Sequence, residues 1–241
     1  MKTTLLIPTL NEELGMKEIM PKIKREWVDQ ILIVDGGSTD GTIEYAQANG
    51  YPFIVQKQKG IRYAYIEAME HVQGDVVITF SPDGNSIPEL IPPLIAKMRE
   101  DYDMVIVSRY AKGAHSDDDD AVTSLGNFMF TFLINLFYGG KYTDAMVMYR
   151  AWRKDVFTML GLEKDSSYAT EERLFSTRVG VEPLLSIRAA KHKLKCADIP
   201  GDEPARVGGE RKLQVMRWGA AYLFEVFRER FIGSGYFRPR P

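Results

Sequence analysis

The sequence predicts an α/β protein: a mostly parallel sheet flanked by helices, continued by a C-terminal helical extension. Three observations point to it. Over roughly the first hundred residues, short apolar runs alternate with segments of helical periodicity. The apolar runs are apolar throughout, as in strands covered on both faces. Polar, glycine-bearing segments fall where these runs end.

Residues 3–7 open the chain as a buried strand; the run Leu5-Leu6-Ile7-Pro8 is too short for a signal peptide. Strands follow at 30–34, 53–55, 76–80 and 104–108, with helices near 15–26, 39–49, 61–72 and 87–100 between them. After Arg109 the rhythm changes. A Gly- and Asp-rich loop at 112–120 carries Asp117-Asp118-Asp119-Asp120 and precedes an apolar helix at 125–137. A short segment at 143–150, a helix near 170–179 and a strand pair at 183–187 and 195–199 come next. Pro, Gly and charged residues make 200–210 a loop. The last helix, 213–231, is expected to put Met216, Ala220, Leu223, Phe224, Phe227 and Phe231 on one face. The expected organisation is one domain over 1–212 and a C-terminal amphipathic helix and tail over 213–241.

The 241 residues can bury a sizeable core, and a net charge of −2 excludes the basic footprint of a nucleic-acid binder. The single cysteine, Cys196, allows no internal disulfide, so a reducing cytoplasmic location is the default. No run reaches the about 20 apolar residues of a spanning helix. The three histidines, His71, His115 and His192, are scattered and lack zinc-ligand spacing. Arg188 to Arg240 is richer in Lys and Arg than in Asp and Glu, which suits anionic phosphates or a membrane surface.

In parallel sheets ligands bind beyond the C-terminal strand ends. The first strand ends in Pro8-Thr9-Leu10-Asn11-Glu12, and the second in Asp35-Gly36-Gly37-Ser38-Thr39-Asp40. Asp35 is suited to accept hydrogen bonds from a ribose or base, and the glycines permit a tight turn. The fourth ends in Ser81-Pro82-Asp83-Gly84-Asn85, where Asp83 is suited to hold Mg²⁺ or Mn²⁺, ions that take one or two carboxylates plus substrate phosphates. The glycines near the first strand do not form Gly-x-Gly-x-x-Gly, which counts against a dinucleotide oxidoreductase.

These motifs, in this order, resemble family 2 glycosyltransferases. Pro8-Thr9-Leu10-Asn11-Glu12 is similar to the family's opening motif, and Ile33 to Thr42 to its nucleotide-binding motif. Lys59-Gly60, Gly74-Asp75, Ser108-Arg109-Tyr110, Tyr142-Thr143-Asp144, Arg150, Thr170-Glu171 and Glu203-Pro204-x-Arg206-x-Gly208-Gly209-x-x-Lys212 continue in family order. The resemblance runs nearly the full chain and is nearest the dolichyl- and polyprenyl-phosphate mannosyl- and glucosyltransferase branch. It implies a GT-A-type fold, as in nucleotide-diphospho-sugar transferases. It further implies inverting, metal-dependent transfer of a hexose from a UDP- or GDP-sugar to a lipid phosphate. Two alternatives are transfer to a glycan hydroxyl and a nucleotide-sugar-binding pseudoenzyme. On this resemblance Asp83, Glu171 and Arg109 are the catalytic candidates, with Asp83 also the metal ligand. Pro8, Thr9, Leu10, Glu12, Asp35, Gly37, Lys59, Asn85, Arg206 and Lys212 are expected to bind substrate. Arg109, Arg206 and Lys212 suit phosphate, and Glu171 suits orienting the acceptor or taking its proton. Neighbouring Glu172 is expected to face solvent.

The sequence also departs from the family pattern. Ser81 stands where the metal motif has its first aspartate, Gly36 where many relatives carry a second one, and Val122 to Leu125 lack an arginine before Gly126-Asn127. The helices at 125–137 and 213–231, the latter with Arg217, Arg228 and Arg230, suit peripheral docking at the cytoplasmic membrane face.

Overall fold

The computed structural model describes residues 1–207 and 215–240; Lys212 and the expected start of the last helix lie outside the described residues. Strands β1 (Thr3–Thr9), β2 (Gln30–Asp35), β3 (Phe53–Val55), β4 (Val76–Thr79), β5 (Met104–Ser108), β6 (Arg150–Arg153) and β7 (Cys196–Pro200) form one sheet. Its order is β3-β2-β1-β4-β6-β5-β7. All neighbours are parallel except β6, which runs antiparallel to both β4 and β5.

Successive residues of β1 feed opposite faces, as the two-residue period of a strand requires. Leu6, with Leu32, Val34, Val77 and Ile106, joins the core under helices α3 (Ile61–Ala68), α5 (Ala121–Tyr138), α8 (Glu182–Lys191) and α9 (Val215–Phe231). Leu5 and Ile7, with Ile31, Ile33, Ile78 and Val105, join the core under α1 (Glu13–Ile19), α2 (Thr42–Ala48) and α4 (Ile91–Met98). Two short helices, α6 (Lys154–Met159) and α7 (Ala169–Phe175), complete the chain order. The N-terminal strands fall within two residues of their expected ends.

One expectation is corrected. The segment 183–187 is helical, inside α8. Pro183 occupies the first turn, where its missing N–H costs nothing, and every residue from Glu182 to Ala190 is buried. A helix buried on every side shows no clean period that separates it from a buried strand. On α9, Ala220, Leu223, Phe224, Phe227 and Phe231 share the less buried side. Ala221, Tyr222, Glu225, Val226 and Glu229 point inward, while Phe227 is 44% and Phe231 87% exposed. Glu229 faces in because cations await it there: Arg188 Nη2 lies 2.8 Å from Glu229 Oε1, and Lys191 Nζ donates to the Glu229 carbonyl.

Helix α5 is oriented in the same way. It begins at Asp120, whose side chain accepts the Thr123 N–H as an N-cap, and ends at Gly139 in the left-handed region. Its polar Asn127 and Thr131 are buried with Phe130 and Ile134. Val122, Leu125, Phe128, Phe132 and Leu136 are exposed on the other side. By length and composition α5 is apolar enough to cross a membrane.

Candidate active site

The polar strand ends converge at the C-terminal edge of the parallel strands. Thr9 and Asp35 lie side by side in the β1–β2 register. Asp35 is almost wholly buried and its carboxylate is fully used. Oδ1 accepts the N–H groups of Gly37 (2.8 Å) and Ser38 (2.7 Å), and Oδ2 accepts the hydroxyls of Thr9 (2.8 Å) and Ser38 (2.6 Å). Four donors thus converge on one carboxylate, and Asp35 shapes the turn. Gly37 sits at φ +92° in open space, a conformation that L side chains rarely adopt. Asn11 joins the two loops, its amide oxygen accepting from the Thr39 N–H at 2.9 Å and its own N–H donating to Ser38 Oγ at 2.8 Å. The Glu12 N–H donates to Thr42 Oγ1. These contacts present Pro8 and the exposed Leu10 at the rim, with Lys59 exposed in the loop after β3.

Across the edge, Asp83 is 4% exposed. Its Oδ1 accepts the Asn85 N–H at 3.3 Å, and its Oδ2 lies 3.1 Å from Arg206 Nη1. The Nε of Arg206 donates to Asp118 at 3.1 Å. One guanidinium thus links the β4 loop to the four-aspartate loop. Burial pulls the Arg206 pKa down, but Asp83 and Asp118 outweigh it and leave it raised.

Arg109 does not face the cleft as a free phosphate ligand. It is buried, with Nε on Asp144 at 2.8 Å and Nη1 on both oxygens of Glu203 at 2.9 and 2.8 Å. Its burial acts against the charge, yet Asp144 and Glu203 raise its pKa overall. Glu203 also accepts from Ser116 Oγ and pairs in a bridge with Ser116, zipping the 109–120 loop to the 201–207 loop. Beside this junction opens a cleft of about 490 Å³ lined by Arg109, Tyr110, His115, Ser116, Asp119 and Ser124. It lies at the start of α5.

The side chain of Glu171 is sealed between α7 and α9, where Arg228 Nη1 donates to Oε2. Glu172 is also turned away from solvent, paired with Arg62 at 3.1 Å and with Arg178 at 2.6 Å.

The donor set does not fit a resident divalent ion. Such an ion demands oxygen ligands at about 2.1 Å in near-octahedral array. Asp83 offers both oxygens to other partners, and position 81 is serine. Among the described residues, no three His, Cys, Asp or Glu side chains gather to hold a metal. Arg206 on Asp83 was not legible as a pair, because the two residues are far apart in sequence and meet only across loops.

A mixed, mostly parallel sheet with its polar loops at one edge defines a nucleotide-diphospho-sugar transferase fold of GT-A type. The signature of Glycosyl transferase family 2 matches residues 4–160, more than half of the chain, and the chain belongs to that family. It is similar to Glycosyltransferase AglJ of Haloferax volcanii, 28% identical over 93% of this chain and 70% of that protein. It is 36% identical to the dolichol-phosphate mannosyltransferase of Pyrococcus furiosus over 47% of this chain and 34% of that one. The undecaprenyl-phosphate 4-deoxy-4-formamido-L-arabinose transferase of Salmonella choleraesuis is 25% identical over 90% of this chain and 64% of its own length. The last two are polyprenyl-phosphate sugar transferases by name, the branch that the motifs resemble, and the chain spans less than two thirds of each. Among solved structures, glucosyl-3-phosphoglycerate synthase from Mycobacterium tuberculosis, in complex with Mn²⁺, UDP and phosphoglyceric acid, superposes with a TM-score of 0.64. That likeness, at 20% identity over 97% of this chain and 80% of the other, is one of fold.

Proposed function

We propose that the chain transfers a hexose, with inversion, from a UDP- or GDP-hexose to the phosphate of a polyprenyl-phosphate acceptor, working at the cytoplasmic face of a membrane. The observation that carries this reading is the outward side of α5. Val122, Leu125, Phe128, Phe132 and Leu136 form an exposed apolar stripe that starts beside the cleft lined by Arg109, Asp119 and Ser124. Phe137 of α5 packs on Phe227 of α9 at 5.5 Å, extending the stripe toward Phe231. A polyprenyl chain needs such a surface next to the place where its phosphate reacts. The names of the dolichol-phosphate and undecaprenyl-phosphate relatives support the same acceptor class.

In this reading the Pro8–Glu12 loop, Leu10 above all, and Gly37 border the donor base and ribose, while Lys59 and Asn85 border the diphosphate. An oxygen of the acceptor phosphate forms the new bond to the anomeric carbon. The bond to the diphosphate breaks on the opposite face, and its electron pair leaves with the nucleoside diphosphate. The acceptor is already ionised at neutral pH, so no side chain has to remove a proton. The seclusion of Glu171 agrees with that. Positioning and neutralisation of the leaving group then supply the catalysis.

The test is transfer of labelled hexose from UDP-glucose and GDP-mannose in detergent, with and without a polyprenyl phosphate. Label in an organic-extractable product that depends on the lipid phosphate supports the reading. Label that reaches only water-soluble oligosaccharide sinks the acceptor assignment.

A further inference from the structure

We propose that the Arg206 guanidinium, clamped between Asp83 and Asp118, takes the place of a divalent ion and neutralises the departing diphosphate. This deepens the donor reading above and rests on it. Three observations carry it. The first is occupancy: Arg206 Nη1 lies 3.1 Å from Asp83 Oδ2, so a permanent cation stands on the one carboxylate of the Ser81-Pro82-Asp83 segment.

The second is that the position is built. The Val207 N–H, next in the chain, donates to the Asp83 carbonyl at 2.9 Å. The side chain of Val207 lies over Gly84 so closely that a Cβ added there would stand 2.4 Å from Val207 Cγ2. At φ +96° that glycine also holds a turn that L side chains rarely adopt. Upstream, Glu203 is fixed by Arg109 and Ser116. The loop carrying Arg206 is therefore pinned on both sides of the arginine, and the β4 turn is shaped to receive it.

The third is electrostatic. A divalent ion beside this fixed guanidinium would meet like charge, and a guanidinium cannot lose its proton to make room. Arginine instead offers a planar fork that matches phosphate. On donor binding the diphosphate replaces Asp118 on the fork, while Asp83 keeps the guanidinium oriented. Asp118 is thus a competitor of the donor, where a metal ligand would be its helper.

Calorimetric titration of the full chain with UDP and with GDP, in chelator and in Mn²⁺, tests this. The expected result is an affinity that changes less than about threefold between chelator and Mn²⁺, falls at least about tenfold in Arg206→Gln, and rises in Asp118→Asn. Spin resonance of free Mn²⁺ is expected to show no stoichiometric uptake by the nucleotide complex. Nucleotide binding by the wild-type chain that vanishes in chelator and returns with Mn²⁺ overturns the proposal and leaves the donor reading standing. Equal affinity of folded Arg206→Gln and wild type in chelator overturns it as well. Should neither nucleotide bind under any condition, the donor reading falls and this proposal with it. The chelator comparison uses the wild-type chain alone, so it decides even if a variant fails to fold.

Discussion

Glu171 of α7 meets Arg228 of α9 inside the protein, and the second carboxylate oxygen of Glu171 has no hydrogen-bond partner among the described residues. Burial pushes the Glu171 pKa up to about 7, against the pull of Arg228. Both oxygens of nearby Glu225 are likewise buried and unpartnered, and burial, then Glu171, raises its pKa well above the ordinary value. The α7–α9 contact is therefore a store of protonation-dependent stability.

A group whose pKa is raised on folding stabilises the folded state below its unfolded pKa and loses that contribution as pH rises through the folded one. For Glu171 the window runs from the ordinary 4.5 to about 7. Wild type is expected to lose stability relative to Glu171→Gln across that window, on the order of 3 kcal/mol, and to change little above it. Urea unfolding of both proteins from acid to mildly alkaline pH measures the difference. A gap independent of pH would show that Glu171 titrates alike in the folded and unfolded chain.

Asp35 makes a different prediction. With four donors converging on its carboxylate, Asp35→Ala leaves the Gly37 and Ser38 amides and the Thr9 hydroxyl without their acceptor. Leaving a buried donor unpaired costs about 1–3 kcal/mol. A loss of about 3 kcal/mol or more in unfolding free energy is expected, with nucleotide affinity falling as the Asn11–Thr39 contact loosens. A variant of wild-type stability that binds nucleotide poorly would place Asp35 in direct contact with the donor.

Arg109 is tested through its partners. Removing one member of a buried ion pair costs about 3–5 kcal/mol, because the other is left buried and charged. Arg109→Ala strands Asp144 and Glu203 together and is expected to lose at least that much in chemical denaturation. Unchanged stability would mean that the guanidinium is dispensable to the fold and available to phosphate.

Much of the fold was legible because β1, β2, β4 and β5 have apolar centres and each ends in a polar turn; local composition alone marks such strands. The antiparallel insertion of β6 between β4 and β5 was not, since Arg150 to Arg153 carries two arginines and pairs only with strands distant in sequence. Helix α8 was misread because burial on every side erases the periodicity that distinguishes helix from strand. The site divides in the same way. Which loops converge could be read from strand ends, but what each charge faces could not. Arg109 and Glu171 find partners on other loops or helices, and Asp35 finds its own on the following turn and on β1. The inward-facing Glu229 was hidden for a related reason: a helix is ordinarily oriented by its apolar side, whereas α9 turns Glu229 in toward Arg188 and Lys191 of α8 and leaves Phe227 and Phe231 outside.

That reversal leaves apolar surface outside, and the last prediction concerns it. Phe128 and Phe132 stack at 6.3 Å on the exposed side of α5 and belong to no core. Phe231 is 87% exposed at the end of α9. An aromatic side chain moved from water into the acyl boundary gains about 1.5–3 kcal/mol, so three of them outweigh the modest cost of holding a protein at a surface. Arg217 and Arg230 are also exposed on α9, where anionic lipid adds about 1 kcal/mol per basic residue near the surface. The chain is expected to float with anionic liposomes and to release partly as salt rises, because salt screens the arginines and leaves the aromatics engaged. Phe132→Asp is expected to cut vesicle binding at least about tenfold while moving the unfolding midpoint little, since its side chain supports nothing inside the protein. Transfer to a short, water-soluble polyprenyl phosphate should survive that change, whereas transfer to a long-chain acceptor in vesicles should fall with binding. Vesicle binding of Phe132→Asp equal to that of wild type would remove α5 from the membrane and assign its stripe to a protein partner.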